Sequence, residues 1–370
     1  MEKAKVALVH DWLTGQRGGE KVLEVLTEIF PHAPIYTLFR FPGSQIAEIE
    51  KREIKTSFLQ NLPFLKKKYR YYLPLFPLAV ELFDFNEYDM IISSSHCVVK
   101  GAIPHPEALH VCYIHSPMRY AWNQYFSYFS AKKLSFFSKI IIPPLIHYLR
   151  LWDESSSSRV DYFVANSKNV ARRVEKYYGH QAEVIYPPVD ADFFKPGEEE
   201  KDYYLIVSAL VPYKRIDLAI EGFNQTGLPL KIVGKGPDYR KLKKSAKTNI
   251  QFLGNLDAED LLKTYQRAKA LILPGEEDFG ITSLEAQACG IPVIAYGRGG
   301  AMESVMPGKT GLFFPDLNVE SLLSVLDKFE SFEFNRTIIR ANAMKFSRNK
   351  FKERIAGFLR EKWSAFMSEK

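Results

Sequence analysis

The sequence predicts an α/β protein of two domains, each built on its own parallel sheet. Three observations carry this. The 370 residues exceed what one core usually fills, at roughly 100–200 residues per domain. Short apolar runs alternate with segments of helical period, the pattern of strand–helix–strand crossovers. The alternation is interrupted once, by a polar, acidic stretch from Pro187-Pro188-Val189-Asp190 to Pro196-Gly197-Glu198-Glu199-Glu200-Lys201-Asp202, which has linker composition.

Taken in order, Lys5–Val9 is expected as the first strand. Gly19–Phe30 follows as a helix, with Val22, Leu23, Leu26, Ile29 and Phe30 on one face. Further strands are expected at Met90–Ser93, His110–Ile114, Tyr162–Ala165 and Glu183–Ile185. Beyond the linker they recur at Tyr204–Val207, Leu230–Val233, Gln251–Leu253, Ala270–Leu273, Pro292–Ala295 and Leu312–Phe314. Helices such as Lys214–Phe223 and Asp257–Ala268 fill the intervals. No sequence repeat recurs at a fixed period, which argues against a solenoid. The expected domains are residues 1–195 and 196–345, with a C-terminal helix over 346–370 packing back on the N-terminal domain. Open parallel sheets bind ligands beyond the carboxyl ends of their strands, so the cleft between the domains is the default site.

Composition narrows the function classes. Hydrophobic residues at 46% and charged residues at 25% are ordinary for a folded chain and argue against disorder. No uncharged apolar run approaches the roughly 18 residues of a spanning helix. Val6-Ala7-Leu8-Val9 before His10-Asp11 is too short for a secretory segment. Cys97, Cys112 and Cys289 are odd in number and far apart, which excludes a disulfide framework and fits a reducing compartment. A cytoplasmic location is expected. The formal charge of +7 is local: residues 51–70 hold Lys51, Arg52, Lys55, Lys66, Lys67, Lys68 and Arg70 against Glu53, for +6. Residues 131–150 hold Lys132, Lys133, Lys139 and Arg150 with no acid, for +4. An anionic partner should therefore meet the N-terminal half, and a diffuse nucleic-acid binder is excluded.

The segment richest in chemistry is Pro274-Gly275-Glu276-Glu277-Asp278-Phe279-Gly280-Ile281-Thr282-Ser283-Leu284-Glu285. A strand ends, an acidic loop with glycine follows, and a helix begins near Gly280. Amides at a helix start suit a phosphate. A loop carboxylate, Glu277, and a helix carboxylate, Glu285, beside one anion site suit two hydroxyl-bearing parts of a ligand. An acidic first turn that merely complements the helix dipole fits the same residues.

Glu277-Asp278-Phe279-Gly280-Ile281 with Glu285 eight positions after Glu277 resembles the E-x7-E motif of glycosyltransferase family 4. Ala286-Gln287-Ala288-Cys289-Gly290-Ile291-Pro292-Val293-Ile294-Ala295, Gly299-Gly300-Ala301-Met302-Glu303 and Gly311-Leu312 resemble its continuation. Upstream, Val211-Pro212-Tyr213-Lys214, Val233-Gly234-Lys235-Gly236-Pro237 and Phe252-Leu253-Gly254 fall in family order. In the N-terminal half, three stretches are similar to the mannosyltransferase branch of O-antigen and exopolysaccharide assembly. They are His10-Asp11-Trp12-Leu13 with Gly18-Gly19-Glu20, Ser93-Ser94-Ser95-His96, and Tyr113 through Trp122.

The resemblance implies a GT-B fold, two Rossmann-like domains facing across a cleft. It implies retaining transfer from a nucleotide sugar, with no cofactor and no essential metal. Glu277 would then hold donor-sugar hydroxyls, Glu285 the nucleotide ribose, and Lys214 the diphosphate. Gly18 and Gly19 would bring backbone amides to the same phosphates, and His115 would lie near the donor sugar. Arg215, Gly234, Phe279, Gly280 and Ile281 complete the implied donor set. Two positions depart from the pattern: Ala209 stands where the family commonly has Arg, and Lys235 where many members have an acid. Arg215 and Arg119 are the cations placed to compensate, although Arg215 also reads as an ordinary solvated or acid-paired residue.

Weaker constellations carry less. Gly234-Lys235-Gly236 lacks the third glycine of a dinucleotide fingerprint. Asp190-Ala191-Asp192 mimics a metal-binding D-x-D but falls in the linker, and the eight histidines have no metal spacing. The segments Phe64–Leu78 and 134–146 mix cations with Tyr, Phe and Ile, as a membrane surface or a lipid-diphosphate site would; buried helices with a basic flank would look similar. Lys66, Lys67, Lys68 and Arg119 are the acceptor or phosphate candidates. The expectation is a membrane-peripheral hexosyltransferase on the inner face of the cell membrane, moving mannose from GDP-mannose to a lipid-linked acceptor. A UDP-sugar transferase, a non-catalytic nucleotide-sugar-binding subunit and an epimerase are the alternatives.

Overall fold

The structure, a computed structural model, describes residues 4–16, 18–43, 46–129 and 135–370. Lys132, Lys133 and Leu134 of the second basic segment lie outside the described residues. The chain forms two compact units: residues up to Pro187 with Phe351–Lys370, and Pro188–Lys350.

The first unit is a seven-stranded sheet of β1 (Val6–His10), β2 (Ile35–Thr37), β3 (Ile54–Thr56), β4 (Met90–Ser95), β5 (Leu109–Ile114), β6 (Tyr162–Ala165) and β7 (Ala182–Val184). Their order is β3-β2-β1-β4-β5-β6-β7, with every pairing parallel. β1, β4 and β5 are buried along their whole length, because helices cover both faces of a parallel sheet and leave no face for water. One face packs Leu8, Leu23, Leu26 and Val111, and the other packs Val9, Phe39, Phe76 and Trp152.

The second unit is a six-stranded sheet of β8 (Tyr203–Val207), β9 (Leu230–Val233), β10 (Ile250–Gly254), β11 (Ala268–Leu273), β12 (Val293–Tyr296) and β13 (Gly311–Phe314). The order is β10-β9-β8-β11-β12-β13, again parallel throughout. In each unit the strand order reverses beside the first strand. That reversal is the point at which the loops of a doubly wound sheet diverge and leave room for a ligand.

The division between units falls at Pro187, eight residues before the expected 195. The cause is local hydrogen bonding. Val189 N–H donates to the Phe346 carbonyl at 2.9 Å, and the Arg340 guanidinium donates to the Ala191 and Phe194 carbonyls at 3.0 Å each. The supposed linker is thus fastened to the second unit. Asp190 serves that turn by accepting the Phe193 N–H at 3.0 Å, the ordinary work of an Asp in a loop. The helix Arg348–Ser368 buries Phe351, Ile355 and Leu359, one residue per turn, in the same core as Leu8 and Val111. A Lys352–Glu28 ion pair at 3.0 Å flanks that contact.

Candidate functional site

In the second unit, the loops at the carboxyl ends of β8 and β11 meet. β8 runs into a 3-10 turn, Pro212–Lys214, and Arg215 then takes a left-handed conformation (φ 51°) before the helix Ile216–Thr226. The helix was expected to begin at Lys214. It begins two residues later, so Lys214 sits on a turn whose direction the helical period does not set. Gly275 lies against that turn: a Cβ there would stand 2.6 Å from the Tyr213 carbonyl oxygen and 2.8 Å from the Lys214 carbonyl. Only glycine permits this approach. It lets Glu277, two residues on, form an ion pair with the Lys214 ammonium. The pair is mostly buried, with 17% and 10% of the side chains exposed, and the Tyr213 ring lies 5.5 Å from the ammonium.

Glu277 is fixed from its backbone as well. It makes a parallel bridge with Gly299, and its carbonyl accepts the Gly300 N–H at 2.8 Å. Gly280 (φ 83°) then turns the chain into the helix Ile281–Ala288, with no side chain capping its start. A first turn without a side-chain cap leaves amide donors for another acceptor. Glu285 is buried inside this helix and accepts from the hydroxyl of the fully buried Tyr265 at 2.9 Å. Gly234 (φ 133°) lies at the end of β9 against the Ser208 carbonyl, beside the exposed Ala209. Ile281 is half-buried at the helix start. The Phe279 side chain is buried, with the ring 5.8 Å from Phe346. It fills the core, so only its backbone is available to a ligand. Arg215 is turned from Glu277 toward Asp217, at 3.3 Å.

In the first unit, β1 ends at His10 and the helix Gly18–Ile29 starts beside it. A Cβ on Gly19 would be 3.3 Å from His10 Cε1 and 3.5 Å from His115 Nε2, so this glycine makes room for two imidazoles. Ser94, at the end of β4, lies between them, 3.1 Å from His10 Nδ1 and 2.9 Å from His115 Nε2. Burial pushes His10 down to about 3, with His96 adding to the shift and Asp11 opposing it. His10 is therefore neutral at physiological pH. Asp11 is itself fully buried and accepts four backbone N–H groups, from His96, Cys97, Val98 and Val99 at 2.6–3.1 Å. Burial raises its carboxyl group, and those donors work against the rise. Asp11, Ser94 and Tyr265 had no role assigned from sequence, because each acts on a partner more than 19 positions away. Arg119 is buried.

Two family comparisons cover most of the chain. Residues 36–193 match the family described as Glycosyltransferase Family 4, and residues 188–346 match Glycosyl transferases group 1. The chain belongs to glycosyltransferase family 4.

Its relatives include, by name, mannosyltransferases and a D-rhamnosyltransferase of Pseudomonas aeruginosa. An uncharacterised glycosyltransferase of Methanocaldococcus jannaschii is 26% identical over 54% of this chain and 58% of its own length. A GDP-mannose-dependent monoacylated alpha-(1-6)-phosphatidylinositol monomannoside mannosyltransferase of Corynebacterium glutamicum is 37% identical over 32% of this chain and 35% of its own. The chain thus matches about half, or less, of these curated relatives' length. Among solved structures, sucrose-phosphate synthase from Thermosynechococcus elongatus aligns with a TM-score of 0.73 at 17% identity, over 97% of this chain and 99% of that one. Anabaena HepE in complex with UDP and glucose aligns with a TM-score of 0.70 at 18% identity, over 96% and 99%. These likenesses establish the GT-B fold for the family 4 chain.

The remaining candidate segments of this family 4 chain carry exposed side chains on the first unit. Lys66, Lys67 and Lys68 occupy a short helical turn, Leu65–Lys68, entered through Phe64, which is held left-handed (φ 56°) and 72% exposed. The helix Phe136–Ser155 turns Phe136, Phe137, Ile140, Ile141, Tyr148 and Leu151 outward while Ile146, Leu149 and Trp152 face the core. Among the described residues no helix is long and apolar enough to cross a membrane, and no group of three or more His, Cys, Asp or Glu side chains is placed to hold a metal ion.

Proposed function

We propose that this chain is a retaining, metal-independent hexosyltransferase that moves mannose from GDP-mannose to a lipid-linked glycan acceptor. The observation that carries the reading is the buried Lys214–Glu277 pair beside the uncapped start of the helix Ile281–Ala288. A cation and free helix amides are what a departing diphosphate requires, since charge develops on it as the glycosidic bond breaks. Glu277 is the hydroxyl acceptor for the donor sugar, and Glu285, steadied by Tyr265, is the acceptor for the ribose. Lys214 divides its charge between Glu277 and the phosphate when the donor docks. His115 of the first unit contributes a hydrogen bond to the sugar. No side chain of the second unit's site is assigned as a nucleophile, and the departing phosphate takes the acceptor's proton.

The Corynebacterium relative, GDP-mannose-dependent by name, supports the choice of donor. The exposed aromatic and aliphatic stripe, with Lys139 among it, supports a lipid-borne acceptor and a peripheral position on the inner face of the membrane.

A thermal-shift series with GDP-mannose, UDP-glucose and ADP-glucose tests the donor. GDP-mannose at 100 times its Kd should stabilise the fold by about 2.7 kcal/mol, and donor hydrolysis should survive EDTA. Stabilisation by UDP-glucose alone would make this a UDP-sugar transferase. Activity lost to EDTA and restored by Mn²⁺ would remove metal independence.

A further inference from the structure

His10, Ser94 and His115 form a chain whose proton positions can be worked out. His10 Nε2 is buried and has no hydrogen-bond partner among the described residues, and the residue itself is 0% exposed. A Cβ on Gly19 would be 3.8 Å from it, so Nε2 sits against the first turn of the helix Gly18–Ile29. Two tautomers are open to a neutral imidazole. Were the proton on Nε2, a buried N–H would be left without an acceptor and would face the positive end of a twelve-residue helix. With the proton on Nδ1, a lone pair faces that positive end instead. Both terms favour Nδ1–H.

The rest follows by the direction of donation. His10 Nδ1–H donates to Ser94 Oγ, at 3.1 Å. Ser94 then has its single hydroxyl proton to give, and the neighbour at 2.9 Å is His115 Nε2. His115 accepts there, so in its neutral form it carries its own proton on Nδ1. His96 stands next to both rings, with centroids 5.9 Å from His10 and 6.4 Å from His115. Its Nδ1 is engaged by Asp11 at 3.2 Å, outside the chain of donation.

We propose that His10 and Ser94 are positioning residues that lock His115 as an Nδ1–H hydrogen-bond donor. In this state the ring has no lone pair at Nδ1 to take a proton, so His115 does not act as general base toward the acceptor. That consequence rests on the function proposed above, whereas the tautomer does not. Sequence pattern pointed to His115 alone. The lock comes from two residues whose partners lie 84 and 21 positions away.

The test uses the full chain labelled with ¹⁵N-histidine and long-range ¹H–¹⁵N imidazole correlation spectra at pH 8, with His115 assigned by loss of its signals in His115→Gln. The expected spectrum has a pyridine-like Nε2 and a protonated Nδ1 on His115. Ser94→Ala and His10→Phe should both release the ring toward the Nε2–H form that free histidine prefers in water. His10→Asn, whose amide nitrogen replaces Nδ1–H, should keep it locked. A proton on Nε2 of His115 in the wild type would overturn the proposal, as would a ring unmoved by Ser94→Ala. Donor hydrolysis on the same samples separates the two readings. With the lock present, the Ser94→Ala rate should fall at least fivefold and His10→Asn should stay within twofold of wild type. A locked ring in a protein that hydrolyses no nucleotide sugar would leave the lock standing and sink the function.

Discussion

Lys214 and Arg215 are adjacent in sequence and unequal in the fold. Lys214 is paired with Glu277 in a mostly buried position, whereas Arg215 leans on Asp217 with 34% of its side chain exposed. A cation aimed at a developing charge lowers the barrier itself, not only the energy of the bound state. Lys214→Ala should therefore lower kcat/KM for donor hydrolysis by about 2–4 kcal/mol. Arg215→Ala should cost under about 1 kcal/mol, as exposed pairs do. Ala209→Arg, at an exposed position beside the Gly234 turn, should recover part of the Lys214→Ala loss. If Arg215→Ala is the more damaging change, the phosphate site is misassigned. Motif order singles out Lys214 in the sequence. Its placement is not legible there: a left-handed non-glycine residue is uncommon, so nothing in Tyr213-Lys214-Arg215-Ile216 announces that the helix waits until Ile216.

Helices and strands were legible to different degrees, and for reasons that bear on the surface. β6 falls where its apolar run places it, as a strand covered on both faces should, and β9 does so with the half-buried Lys231 interrupting its run. β2 and β3 are three-residue strands toward one end of the sheet, too short to leave a pattern. The helix Phe136–Ser155 contains Pro143 and Pro144, which sequence rules read as breakers. It also carries apolar residues on both sides, so its composition resembles a buried helix. Only the fold separates the two sides. Phe136 and Phe137, each 73% exposed, with Ile140 and Ile141, make the outward stripe, and Lys139 lies among them. The double change Ile140→Asp and Ile141→Asp should abolish binding to anionic vesicles in a flotation assay at any salt, because the apolar insertion is lost. Replacing Lys66, Lys67 and Lys68 with Ser should weaken binding at low salt only, since screening already removes their contribution at high salt. Donor hydrolysis by water should stay near wild type in both variants. Undiminished flotation of the Asp variant would remove this helix from the membrane reading.

At the scale of the whole molecule, the two units differ in a way that makes them separately observable. All eight histidines lie within the first 187 residues, and Trp12, Trp122, Trp152 and Trp363 all belong to the first unit. The second unit has neither residue type, so tryptophan fluorescence follows the first unit alone and histidine titration perturbs it alone. Burial pushes His10 down to about 3 and His110 down to about 4. Both are neutral in the folded unit, whereas the unfolded chain takes up a proton on each near pH 6.5. The unfolded state then binds more protons, so stability falls as pH drops below about 6.5, until the folded values are reached. Each group contributes roughly 1.4 kcal/mol per pH unit across that window. Asp11 and Asp161, whose carboxyls burial raises, act with the opposite sign, so the wild-type slope is a sum. The difference between wild type and His110→Gln isolates one group, because the Gln amide can keep the bond to Ser93, 2.9 Å from His110 Nε2. Urea unfolding followed by tryptophan emission should therefore lose about 1.4 kcal/mol per pH unit less in His110→Gln than in wild type between pH 6 and 5. A variant whose slope equals that of the wild type would mean that His110 is already protonated in the folded unit, against the buried geometry of β5.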